Sequence, residues 1–171
     1  MTAIAADVPL AYRQLLIDVR DEGVAFLFST HFSEAGALQV PAQRAAAVYK
    51  ITTQVAIEEF RRLVAIKAHV SDTNANIISP TLLMDDLWHA AVLDTLFYAD
   101  LQAAPGLTIH HRPSGASEGE SELRQVRLDT VKSLYKGYFS TDPTEHPWSL
   151  PQARHSLTGD LPGANITTDD P

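Results

Sequence analysis

Apolar residues recur at helical spacing along most of this chain, and the breaks between the periodic stretches are marked by Gly, Pro and short polar clusters. Leu10, Leu15, Leu16, Ile17 and Val19 among Arg13, Asp18, Arg20, Asp21 and Glu22 predict an amphipathic helix over 10–22, stopped near Gly23. Val24-Ala25-Phe26-Leu27-Phe28 is too short for periodicity to separate strand from buried helix, and 29–40 reads as loop. Pro41 suits a first helical turn, and the run from Ala42 to Val70 contains no further Gly or Pro, so it predicts the longest helix. Val48, Ile51, Val55, Phe60, Leu63, Val64 and Ile66 carry its apolar positions, with Glu58 and Arg62 as a solvated i,i+4 pair.

After the polar loop Ser71–Asn76, Ser79-Pro80 reads as N-cap and first residue of a helix that runs to Ala103 and stops before Pro105-Gly106. Leu107–Arg112 alternates and predicts a short extended segment. A last helix from Glu120 to Phe139 has Leu123, Val126, Val131, Leu134 and Tyr138 as its stripe. The fold class expected is mainly α: a single-domain helical bundle of about four to five helices, with at most a short extended segment and a Pro-rich C-terminal tail. Residues 1–8 are expected to be a flexible N-terminus, 9–148 the helical domain, in which Trp148 docks, and 149–171 a tail.

Composition narrows the function classes. The chain has 171 residues and no cysteine, which excludes disulfides, thiolate metal sites and a cysteine nucleophile. Its net charge of −8 disfavours nucleic acid and anionic membranes as partners, and no apolar run approaches the ~18 residues of a membrane span. A cytoplasmic protein with a protein or small-molecule partner is the expectation.

Chemistry concentrates in Asp85-Asp86-Leu87-Trp88-His89 and in His110-His111-Arg112. On a helix, Asp85, Asp86 and His89 share one arc, together with Asp100. Asp85 and His89 stand at the i,i+4 spacing of a hydrogen bond that fixes the imidazole tautomer. Carboxylate plus imidazoles suits a divalent ion such as zinc, manganese or iron, held by Asp85 or Asp86, His89, and His110 or His111. The competing readings are a structural His–Asp pair joining two helices, and metal-free catalysis or ligand binding with His89 as general base and Asp85 as its orienting partner. Adjacent histidines of an extended segment point to opposite sides, so only one of His110 and His111 can meet the helix, and spacing does not choose. Arg112 and Arg127 are candidate anion binders or partners for Asp85, Asp86 or Asp94. Arg127 is the more unusual, lying inside the apolar stripe of the last helix. Trp88 reads as a core anchor whose indole N–H finds a carbonyl. Arg124, Lys132 and Lys136 form a mildly basic solvent face, and His31, His69, His146 and His155 read as isolated surface residues.

Ser79-Pro80 through Asp86-x-Trp88-His89-x-x-x-Leu93-Asp94-Thr95-x-x-Tyr98, followed by Gly106 and Ile109-His110-His111-Arg112-Pro113, resembles the Trp-His-x-His-x-Leu-Asp segment of the glycine-rich domain-containing protein-like family, over about 35 of the 171 residues. The chain departs from that pattern at Ala91, where the second histidine would stand, and no glycine-rich region follows. The resemblance implies a mainly helical domain with little assigned chemistry, and it carries over Asp86, Trp88, His89, Asp94, His110 and His111. Two functions follow as expectations. The first is a non-catalytic binding or interaction module in which the His/Asp cluster organises the fold. The alternative is an enzyme with a metal-dependent or general-base site at Asp85, His89 and His110.

Overall fold

Four side-chain oxygens decide where helices begin. Ser29, Thr52, Thr81 and Asp94 each accept the amide hydrogen of the residue three positions on, satisfying a donor that the first helical turn leaves orphaned. The computed structural model describes residues 7–112 and 118–147. They form α1 (Leu10–Leu15), α2 (Asp21–Leu27), α3 (Thr30–Ser33), α4 (Gly36–Tyr49), α5 (Thr53–His69), α6 (Leu82–Leu93), α7 (Thr95–Ala103) and α8 (Ser121–Phe139). A 3-10 turn at Glu118–Glu120 leads into α8. The N-terminus before residue 7, Trp148 and the tail lie outside the described residues.

The all-α class stands, with no strand among the described residues, but the expectation of four to five helices is corrected to eight. The long helix expected over 42–70 is two. Lys50 adopts a left-handed conformation at φ 55°, and Thr52 caps a new start, so α4 and α5 fold back on each other. The helix expected over 80–103 breaks at Asp94, where ψ is 88° and the carboxylate caps α7. It also begins later than Ser79-Pro80 suggested, because Thr81 is the cap. Residues 24–27 and much of 29–40 are helical, and Pro41 sits inside α4 rather than in its first turn. Gly23 does not stop a helix. It is buried within α2, where a Cβ would lie 2.3 Å from the Pro105 Cα, so the glycine permits close approach of two backbones.

Helices α4, α5 and α6 pack mutually at the centre, with α1 and α8 against α5, and α2 against α7. Leu38 and Ala42 of α4, Phe60, Leu63 and Ile66 of α5, and Leu83, Met84 and Leu87 of α6 are all buried there. Phe32 of α3 stacks on Phe60 with ring centroids 6.0 Å apart. Val48, Val55, Leu123 and Val126, which periodicity put on core stripes, are exposed.

Two non-helical segments carry the rest. The loop after α5 is locked by Asp72, whose fully buried carboxylate meets Lys67 Nζ at 2.7 Å and accepts the amides of Asn76 at 2.9 Å and Ile77 at 3.0 Å. The segment 107–112 has no regular secondary structure and pairs with no strand among the described residues. Its Ile109 amide donates to Gln102 Oε1 at 3.0 Å, its Ile109 carbonyl accepts from the Tyr98 hydroxyl, and its His110 amide donates to the Thr73 carbonyl at 2.9 Å. Through that last bond the locked loop fixes the position of the histidine pair.

Candidate metal centre

Three side chains from two elements converge at the N-terminal half of α6. Asp85 and His89 lie one turn apart on α6, and His111 is delivered by the segment 107–112. His111 Nε2 is 3.2 Å from Asp85 Oδ1, and His89 Nδ1 is 3.5 Å from Asp85 Oδ2. The two imidazoles lie with centroids 4.3 Å apart at an interplanar angle of 63°. One ligand atom from each of the three residues lies within 4.8 Å of the other two. That fits a shared ion, because two bonds of ~2.1 Å at roughly 100° place their donor atoms about 3.2 Å apart.

Hydrogen bonding sets the tautomer of one ring. His89 Nδ1–H donates to the Asp85 carbonyl oxygen at 2.8 Å, which puts the free lone pair of the neutral ring on Nε2. His111 is held differently. Its ring packs edge-on against Trp88 at 4.7 Å, and Trp88 is buried, with Lys67 Nζ 4.5 Å from its ring. The Trp88 indole N–H donates to the Tyr98 hydroxyl at 3.2 Å, not to a carbonyl as the sequence suggested. Tyr98 in turn donates to the Ile109 carbonyl, so Trp88, Tyr98 and Ile109 form a chain that holds the backbone two residues before His111. His111 is mostly buried by this support, while the His89 side chain is 51% exposed and opens to solvent.

The remaining candidates divide. His110 is exposed and is not part of the cluster, so the His110 ligand assignment gives way to His111. Asp86 is exposed and outside the cluster; partial desolvation, followed by the Asp85 carboxylate, raises its pKa against the pull of His89 and His146. Asp94 serves as the α7 cap, accepting the Phe97 amide at 3.0 Å. Arg127 has neither Asp85, Asp86 nor Asp94 as its partner. Its Nε donates to Ser79 Oγ at 3.2 Å, and its Nη2 lies 4.0 Å from Glu120. Arg112 makes no ion pair among the described residues, where a bridge to Asp85, Asp86 or Asp94 was expected. Asp100 faces His31 at 3.1 Å rather than the cluster, and His69 Nε2 shares a hydrogen bond of 2.9 Å with the Tyr138 hydroxyl.

No protein-family model, curated protein or solved structure matches the chain. The site therefore stands on its own geometry. A cleft of about 220 Å³ opens beside these three residues, lined also by Ser79, Trp88, Arg112, Arg124 and Arg127. Sequence reasoning missed Arg124 as a lining residue, since one basic position on an exposed helix face carries no signal of what lies opposite. It also missed the Lys67–Asp72 lock, although a lysine inside Leu63-Val64-Ala65-Ile66-Lys67-Ala68 is a charge on an apolar helix that needs a partner. Ala91 is fully buried, so the histidine that the resembled motif has there would face the core and not this cleft. Among the described residues, no helix is long and apolar enough to cross a membrane.

Proposed function

We propose that the chain binds a divalent transition-metal ion through Asp85, His89 and His111 and acts as a metal-dependent enzyme at the adjoining cleft. The observation that carries this reading is the convergence of two imidazoles and one carboxylate, 26 positions apart in sequence at their extremes, with ligand atoms within 4.8 Å of one another. Two nitrogens and one oxygen suit zinc, manganese or iron(II), and three protein ligands leave coordination positions for water and substrate. Such an ion supplies Lewis acidity and lowers the pKa of bound water. The protein's part is orientation. The Asp85 carbonyl fixes the His89 ring, Trp88 fixes the His111 ring, and the half-exposed His89 places the open side toward the cleft.

A non-catalytic role is the second reading, favoured by the Asp85–His111 contact, which ties α6 to the segment 107–112 without any ion. Thermal melting in the presence of Zn(II), Mn(II) and Co(II) separates the two. A bound ion stabilises the fold by about 2.7 kcal/mol at a hundredfold excess over Kd. The reading requires that rise for at least one ion in the wild type and its absence in His111→Ala. No rise with any of the three overturns it in favour of the structural role. The resemblance of residues 79–113 to the glycine-rich domain-containing protein-like family is kept as a proposal of kinship, with the second imidazole of this site supplied by His111.

A further inference from the structure

The charge lining the cleft runs against the charge of the whole molecule. The chain carries a net charge of −8, yet the cleft is lined by Arg112, Arg124 and Arg127 and by a single carboxylate, Asp85, with the Glu120 carboxylate 4.0 Å from Arg127 as its one further acidic neighbour. Asp85 is already engaged by both histidines. Arg127 is anchored by Ser79 with its side chain 17% exposed, so one guanidinium is fixed in the wall. Arg112 and Arg124 are exposed and make no hydrogen bond or ion pair among the described residues. Unpaired guanidiniums that share a concave surface present planar, forked donors matched to oxyanions.

We infer that this cleft is an oxyanion pocket, in which Arg112, Arg124 and Arg127 hold the carboxylate or phosphate group of a small substrate beside the metal centre. The inference rests on the metal reading for the place of the anion relative to the ion, but the arginines recognise the anion by themselves. A cleft volume of about 220 Å³ admits an anion of the size of a small metabolite. Asp85 lies at the metal end of the cleft and repels an anion there unless an ion intervenes, so the anion binds more tightly to the metal-loaded protein.

The test titrates inorganic phosphate, malonate and the neutral analogue malonamide by calorimetry into the metal-free and the Co(II)-loaded full chain. One anion is expected to bind saturably, more tightly with Co(II), while malonamide does not bind. Which of phosphate and malonate binds tells a phosphate substrate from a carboxylate. Arg112→Gln and Arg124→Gln, both on exposed positions, are expected to weaken binding about tenfold each while Co(II) uptake is unchanged. Failure of both anions to bind, or binding that survives in the double variant, overturns the inference. Co(II) uptake without anion binding overturns the pocket and leaves the metal centre standing. Arginine-dependent anion binding without Co(II) uptake overturns the metal centre and leaves the pocket.

Discussion

Replacing Asp72 with Asn removes one charge from a pair that is almost wholly out of water. The Lys67 and Asp72 side chains are 2% and 0% exposed, and their charged atoms are 2.7 Å apart. In Asp72→Asn the amide oxygen can still accept from Asn76 and Ile77, so those two backbone bonds of the loop survive, while the Ile78 amide loses the long 3.4 Å bond to the second carboxylate oxygen. The Lys67 ammonium does not fare as well. It is left facing an amide group, with the Trp88 ring at 4.5 Å as its compensation. Removing one partner of a buried pair costs about 3–5 kcal/mol, because the other charge stays desolvated. At about 2–4 °C per kcal/mol for a chain of this size, the melting temperature falls by about 6–20 °C. Lys67→Met is milder, about 1–3 kcal/mol, since the Asp72 carboxylate keeps its backbone donors. The double variant Lys67→Met/Asp72→Asn recovers most of the loss, because it leaves no unpaired charge. Urea unfolding of the four proteins measures the cycle. A loss under 1 kcal/mol in Asp72→Asn, or a double variant as unstable as the sum of the singles, refutes this account of the loop.

Further outcomes follow from the same contacts. Burial alone would raise the Asp72 pKa, but the Lys67 ammonium and the Ile77 and Asn76 amides outweigh it and hold the carboxyl below its ordinary range. Its stabilising effect is therefore complete above the unfolded carboxylate value near ~3.9 and is lost as pH falls through the lower folded value. Below about pH 4, the stability gap between wild type and Asp72→Asn is expected to narrow in acid titrations followed by circular dichroism. Tyr98→Phe removes the acceptor of the buried Trp88 indole N–H and the donor to Ile109, which costs about 1–3 kcal/mol in chemical denaturation and loosens His111. His89→Ala, at a side chain 51% exposed, is expected to change stability by less than about 1 kcal/mol. The same variant weakens metal binding in equilibrium dialysis by at least about 100-fold, since loss of even an outer-shell partner costs 10–100-fold.

The sequence makes the local half of this site legible and hides the other half. Asp85 and His89 announce themselves because i,i+4 on a helix is a spatial contact that spacing alone guarantees. His111 is different. Its approach to Asp85 depends on Gln102, Tyr98 and Thr73 holding the segment 107–112, and none of those bonds has a sequence period. The helical class follows from the apolar spacing, but the helix count does not. At Lys50–Thr52 and at Asp94 the apolar pattern runs on past the break, and only a left-handed backbone or a capping oxygen turns the chain. Arg127 inside an apolar stripe correctly signals a need for partners; Glu120 lies at the start of its own helix, but Ser79 is reached only through tertiary packing.

The central claim is that Asp85, His89 and His111 together hold an ion. Elemental analysis of untagged protein after Co(II) loading and dialysis, run in parallel on the wild type and on Asp85→Asn/His89→Ala/His111→Ala, tests it most directly. About one ion per wild-type chain and none in the triple variant is the predicted result. A metal-free wild type, or an equal content in both proteins, would contradict it.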